Sequence, residues 1–206
     1  MPSPSSTVKV TETELMLYKP YSIPLQISSA ILSISIRFGY IMEFAGQDTS
    51  HHFKKENLTA SFGLVILFCA MISSIIASRY FPKTKHSYKI LTTSVIRTIS
   101  YSLLYYSLAM ENLEIGFWLN ILGSALYGCC SSVDQTVLVG YIKTLPPYCY
   151  TAYSSADGFS GLFTVLLYLI LKYFGLDLGF LFLLFLPTNI LILVLFYWME
   201  YTKHTV

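Results

Sequence analysis

Long apolar runs separated by short polar loops fill almost all of this 206-residue chain. Each run reaches the roughly 20 residues that a helix, rising ~1.5 Å per residue, needs to cross ~30 Å of hydrocarbon. Helices of soluble proteins differ, because one of their faces must be polar to meet water. The pattern therefore predicts six transmembrane helices, over residues 24–44, 59–78, 88–109, 116–141, 153–173 and 177–199.

These spans predict an all-α polytopic membrane protein with one transmembrane domain over residues 24–199. Residues 1–23 and 200–206 are then the two terminal tails. Composition points the same way, since 54% of residues are hydrophobic and only 12% are charged, whereas globular proteins carry about a quarter charged residues. No cleavable signal peptide is predicted, and the first span is expected to act as the insertion signal.

Several classes of function are disfavoured by what the sequence lacks. The net charge of +2 is too small to indicate nucleic-acid binding. We find no nucleotide loop and no motif for a metal or other cofactor, which argues against an ATP-driven pump and against most enzymes. The four histidines lie in predicted loops or in the tail, at His51, His52, His86 and His204. We therefore expect a non-enzymatic protein without a cofactor.

Basic residues sort to one side of the predicted spans. Eight lysines and arginines fall in the tails and loops of one side and three in those of the other, which places both termini in the cytosol by the positive-inside rule. The sequon Asn57-Leu58-Thr59 then lies in the first non-cytosolic loop, where Asn57 is a predicted glycosylation site.

Charged residues within the spans need a reason, because each costs about 2.5–3.5 kcal/mol near the bilayer centre. Arg97 and Asp134 have opposite charge and matching predicted depth, so we expect them to pair, either to dock two helices or to line a pathway. Arg37 has no obvious partner at its depth, which favours a place in a polar pathway. Asp157 lies about one turn inside its predicted span, where a carboxylate can cap a helix.

Serines add to this polar content. The first span carries four, whose ordinary role is to let helices approach closely. They are Ser28, Ser29, Ser33 and Ser35.

The segment from Cys129 to Tyr168 has the most distinctive sequence. Pro146-Pro147 predicts the end of one helix, and Gly158 and Gly161 predict that the next helix begins against a neighbour without side-chain bulk. The stretch also resembles the battenin family of lysosomal and vacuolar membrane proteins. The match lies in Ser154, Ser155, Gly158 and Gly161 and in their spacing from Pro146.

The chain departs from that family at named positions. Gln135 or Asp134 stands where the family has a glutamate, and Ala156-Asp157 replaces Gly-Thr. Ile36-Arg37 replaces a paired asparagine. Equilibrative nucleoside transporters are similar in the proline pair, in Gln135 and in the spaced glycines. A nucleoside carrier is therefore the alternative within the transporter class.

Both families have two six-helix repeats, so the resemblance implies that this chain supplies one half of a major-facilitator-like transporter. Its expected partners are the bilayer, a second copy or another six-span chain, and a small polar substrate. The battenin resemblance implies an endomembrane location and a role in lysosomal homeostasis, through pH or the export of basic amino acids or glycerophosphodiesters. Proton coupling would run through Asp134 or Asp157. A truncated relic and a non-transporting adaptor remain the other interpretations.

Overall fold

The computed structural model describes residues 17–37, 46–55, 58–80 and 84–205, and the regular elements in those ranges are all helical. A 3-10 turn at Lys19–Tyr21 precedes the first α-helix. The α-helices are α1 (Ser22–Arg37), α2 (Gly46–His52), α3 (Thr59–Tyr80), α4 (His86–Ala109), α5 (Leu113–Ile142), α6 (Pro147–Tyr173), α7 (Leu178–Leu184) and α8 (Leu186–Thr205).

Four stretches of the described chain are long and apolar enough to cross a membrane, and they indicate an integral membrane protein. They are Ala60–Tyr80, Leu113–Ile142, Pro147–Tyr173 and Gly179–Thr205, the last of which joins α7 to α8. The other two predicted spans are helical but do not reach this standard. Helix α1 has 16 described residues, and residues 38–44 of its predicted span lie outside the described ranges. Helix α4 has 24 residues but is rich in serine, threonine and tyrosine.

Helix α4 takes a central place, which explains its polar content. It packs along α5 and also contacts α7 and α8. Its polar side chains are turned inward, where Thr93, Ser94, Arg97 and Ser100 are all at most 5% exposed. An inward polar face needs partners from its neighbours, and the site described below includes those of Thr93 and Arg97.

Helix packing follows a pattern that repeats within the chain. Helix α3 packs on α5, and α6 packs on α1. Helix α4 packs on α5, and α8 packs on α1. The pairs α1–α5 and α4–α8 also touch. If α1 is exchanged with α5, α3 with α6 and α4 with α8, these contacts give the same set of helix pairs.

Two buried apolar clusters hold the helices together at different levels. One joins α1, α5 and α8 through residues such as Leu32, Leu138 and Phe196. The other joins α4, α5 and α7 through residues such as Leu104, Tyr127 and Phe182. Tyr127 lies over Tyr101 with ring centroids 6.0 Å apart. Its hydroxyl donates to the Ile36 carbonyl oxygen at 3.2 Å, which links α5 to α1.

A close approach between two helix backbones involves a glycine that the sequence analysis did not single out. A Cβ atom added to Gly128 of α5 would lie 2.3 Å from the Ile66 carbonyl oxygen of α3. No larger residue fits there without a backbone shift. Small residues have this role in many membrane helix pairs.

Two predicted boundaries differ from the described structure by more than three residues. Helix α6 begins at Pro147, with Pro146 at the N-cap position, so the predicted break is confirmed but the helix starts before residue 153. Helix α8 continues to Thr205, so the predicted tail over 200–206 begins inside a helix. Its last turns pack on neighbours, because Ser87 donates to Glu200 at 2.8 Å and Lys203 donates to Thr144 at 2.7 Å.

Candidate functional site

Arg97 and Asp134 form an enclosed ion pair between α4 and α5. Arg97 Nη2 donates to Asp134 Oδ2, and the hydroxyl of Thr93 donates to Asp134 Oδ1. Both charged side chains are 1% exposed. The predicted pairing is therefore confirmed, and Thr93 is a further partner that charge matching alone did not find.

A third helix completes this network. Arg97 Nη1 donates to Asn189 Oδ1 of α8 at 3.3 Å, and Asn189 Nδ2 donates to Thr98 Oγ1 at 3.2 Å. Asn189 is 3% exposed. The sequence analysis missed Asn189, although an asparagine inside an apolar span is costly unless it is hydrogen-bonded, and that signal could have found it. The network docks α4, α5 and α8 on one another.

Arg37 and Asp157 form a second ion pair, between α1 and α6. Arg37 Nε donates to Asp157 Oδ1 at 2.7 Å, and Arg37 Nη2 donates to Asp157 Oδ2 at 3.0 Å. This two-pronged geometry is the strong form of an arginine–carboxylate contact. The side chains are 18% and 27% exposed, so the pair lies at the surface of the described structure.

This contact corrects two predictions. Arg37 has a partner, and Asp157 is not a helix cap. The cause is the start of α6, because a helix that begins at Pro147 places Asp157 ~15 Å along its axis. Arg37 closes the described part of α1, ~22 Å from its start at Ser22. The two residues therefore meet, although the predicted start of the span at residue 153 had placed them at different depths.

Gln135 lies apart from both pairs, although it follows Asp134 in the sequence. One residue turns an α-helix by about 100°, so neighbouring side chains leave it in different directions. Gln135 lines a cavity of about 120 Å³ between α3 and α5, together with Tyr127, Ser131 and Ser132. The structure does not bring it to either aspartate.

The residues that carry the family resemblance lie on an open face of α6. Ser154, Ser155, Gly158 and Gly161 are all exposed. Within the described residues, no atom lies within 4 Å of a Cβ built on Gly158 or on Gly161. Among the described residues, these glycines therefore do not contact the neighbouring helix that the sequence predicts. Asn57, the predicted glycosylation site, lies outside the described residues.

A third ionic contact fixes α2 to the end of α6. Lys172 Nζ donates to Asp48 Oδ2 at 2.7 Å, and Tyr168 also donates to that oxygen. Burial acts to raise the pKa of the Asp48 carboxyl, but the hydrogen bonds from Lys172 and Tyr168 outweigh it and hold that pKa below its ordinary value. The sequence analysis did not pair Asp48 with Lys172.

These contacts divide the predicted site residues into two groups. Arg97 and Asp134 belong to a sealed network that joins three helices. Arg37 and Asp157 belong to the open side of α1 and α6, next to Ser154, Gly158 and Gly161 along α6. Only the second group is placed to meet a partner or a solute. No family model, no curated protein and no solved structure matches this chain.

Proposed function

We propose that the chain is one six-helix half of a secondary transporter and that a second half closes on the open side of α1 and α6. In this proposal α1 and α4 also cross the membrane. The carrying observation is the Arg37–Asp157 pair, which is held in defined geometry yet is partly exposed. Charges within spans are costly and commonly face a water-filled cavity.

The repeated packing pattern supports the same proposal. Major-facilitator transporters nest two three-helix repeats of inverted topology inside each six-helix half. The exchange of α1, α3 and α4 with α5, α6 and α8 relates the helix contacts of this chain in the way that such a repeat requires. Each half then moves largely as a rigid unit, and the solute site lies between the two halves.

Arg37 and Asp157 are the solute or proton site in this proposal. Protonation of Asp157 neutralises it and weakens its contact with Arg37, which then binds an anionic group of the solute. Asp134 does not take this role, since Arg97 and Thr93 enclose it. The mechanism is alternating access without ATP. The endomembrane location and the lysosomal role stay predictions that rest on the battenin resemblance alone.

Proton flux into proteoliposomes tests the proposal. The purified chain is reconstituted into liposomes that contain a pH-sensitive dye. Arginine, glycerophosphocholine and uridine are then added in turn under an imposed pH gradient. We expect one solute class to accelerate proton flux, and Asp157→Asn to abolish that response. Asp177→Asn is the matched control, because Asp177 is an exposed carboxylate at the start of α7.

The opposite results are equally clear. Flux that is the same with and without every solute would remove the transport proposal and favour an adaptor, whose partner would then co-purify in a fixed ratio. If solute-dependent proton flux persists in Asp157→Asn, the chain is still a transporter, but Asp157 does not couple proton movement to transport.

A further inference from the structure

A second cavity lies between α3, α4 and α5, away from the Arg37–Asp157 pair. Its volume is about 370 Å³, within the roughly 300–1,000 Å³ of ordinary small-molecule sites. The inner part is walled by apolar side chains and thiols, including Ile76, Ala77, Ile96, Cys129 and Val133. Its chemistry suits a hydrocarbon chain.

One end of this cavity is polar. Thr84, Tyr88, Lys89 and Thr92 line it where α4 begins. Lys89 lies ~10 Å along α4 from Ile96 at the helical rise, so the cavity runs from the helix end toward the middle of the span. An elongated apolar space with a cation and hydroxyls at its mouth matches an amphiphile that has an anionic head.

Basic residues close to the mouth in the sequence strengthen that match. Arg79 lies in the last turn of α3, and Lys85 precedes α4 as its N-cap. Within the described residues, neither of these side chains nor Lys89 forms an ion pair. Basic residues clustered at a span end mark a membrane surface, and basic pockets between spans bind anionic lipid heads. The positive end of the α4 dipole acts in the same sense.

The geometry points to a lipid site: one acyl chain of an anionic phospholipid occupies the cavity between α3, α4 and α5, and its phosphate lies at Lys89. The lipid would touch Thr93, which lines the cavity and donates to Asp134. A bound lipid would therefore contact a residue that helps to enclose the Arg97–Asp134 pair. This site does not depend on transport, so it holds or fails separately from the proposed function.

Native mass spectrometry with a lipid mixture tests the site. The chain is equilibrated in detergent with equal amounts of phosphatidylglycerol and phosphatidylcholine of the same acyl chains, and the retained lipid is weighed. We expect phosphatidylglycerol to be retained in preference. Lys89→Gln lowers that preference about fivefold, whereas Lys19→Gln, which removes an exposed cation elsewhere, leaves it unchanged.

A cavity-filling variant tests the acyl-chain part. Ala77→Trp places an indole in the cavity and is expected to remove the retained lipid, whereas Ala60→Trp on an exposed position of the same helix keeps it. Equal retention of the two lipids by the wild-type chain would overturn the site. So would retention by a folded Ala77→Trp variant at the wild-type level. If Ala77→Trp fails to fold, the comparison of Lys89→Gln with Lys19→Gln decides.

Discussion

The two arginine–aspartate pairs have the same chemistry but opposite surroundings. Both side chains of Arg97–Asp134 are 1% exposed, and each makes a further hydrogen bond, Asp134 with Thr93 and Arg97 with Asn189. The side chains of Arg37–Asp157 are 18% and 27% exposed, and the pair lies beside Gly158 and Gly161 of α6, whose Cβ positions no described atom approaches within 4 Å. The sealed pair fixes how α4 and α5 dock. In the proposed function, the open pair is the one that changes partners during transport.

Breaking the sealed pair should have the largest effect on stability. Asp134→Asn leaves Arg97 buried without its counter-charge, and we expect a loss of about 3–5 kcal/mol in the free energy of unfolding. Unfolding in detergent, followed by circular dichroism, measures it. The double variant Arg97→Met, Asp134→Leu should recover much of the loss, because it leaves no buried charge. A single variant as stable as wild type would contradict the sealed network.

Alanine substitutions of a glycine on the packed side and of one on the open side should change the free energy of unfolding in opposite directions. Gly128→Ala forces α3 and α5 apart and should cost about 1–3 kcal/mol, since its Cβ would lie 2.3 Å from a backbone oxygen. Gly161→Ala meets no described atom, and its better helix propensity should stabilise the chain by up to about 1 kcal/mol. The same unfolding assay compares them. Equal losses at the two positions would erase the distinction between a packed and an open side.

Breaking the open pair should cost little stability. Asp157→Asn is expected to lower the free energy of unfolding by about 1 kcal/mol or less, because solvent screens a partly exposed pair. The same substitution should instead abolish the solute-dependent proton flux. A loss as large as that of Asp134→Asn, measured side by side, would make Arg37–Asp157 a structural pair and leave the open side without a function.

The smallest effect concerns the peripheral Asp48–Lys172 contact. Asp48→Asn should cost at most about 1 kcal/mol at neutral pH, as for other exposed pairs. In the wild-type chain the pKa of Asp48 is lowered on folding, so its contribution is present above the ordinary carboxyl pKa and is lost as pH falls through the lowered value. Protection factors from hydrogen exchange in α2, which correct for the pH dependence of intrinsic exchange, follow this loss. We expect lower protection at acid pH in wild type but not in Asp48→Asn, and the same fall in both would show that Asp48 does not cause it.

Periodicity and composition predicted the helical class and the Arg97–Asp134 contact, because apolar length and opposite charge at equal depth are properties of single segments. They did not predict a partner for Arg37, because the depth of Asp157 depends on where α6 starts. A proline pair marks a break, but the helix resumes at once at Pro147.

Glycine roles were also misassigned, for a physical reason. Gly128, Gly158 and Gly161 all sit within apolar spans, and the sequence does not tell which helix face meets a neighbour. Gly128 lies at the backbone of α3, while Gly158 and Gly161 lie on the open face of α6. The repeated pattern of helix contacts was not predicted either, because it depends on how the helices pack and not on any single segment.

The mass of the purified chain in lipid nanodiscs tests most directly whether the open side of α1 and α6 receives a second half. Native mass spectrometry should show a dimer for the wild-type chain and for Leu191→Trp, which alters an exposed position of α8. Gly161→Trp, which places bulk on the open face of α6, should give a monomer. A monomeric wild-type chain, or a Gly161→Trp variant that stays dimeric, would contradict the account.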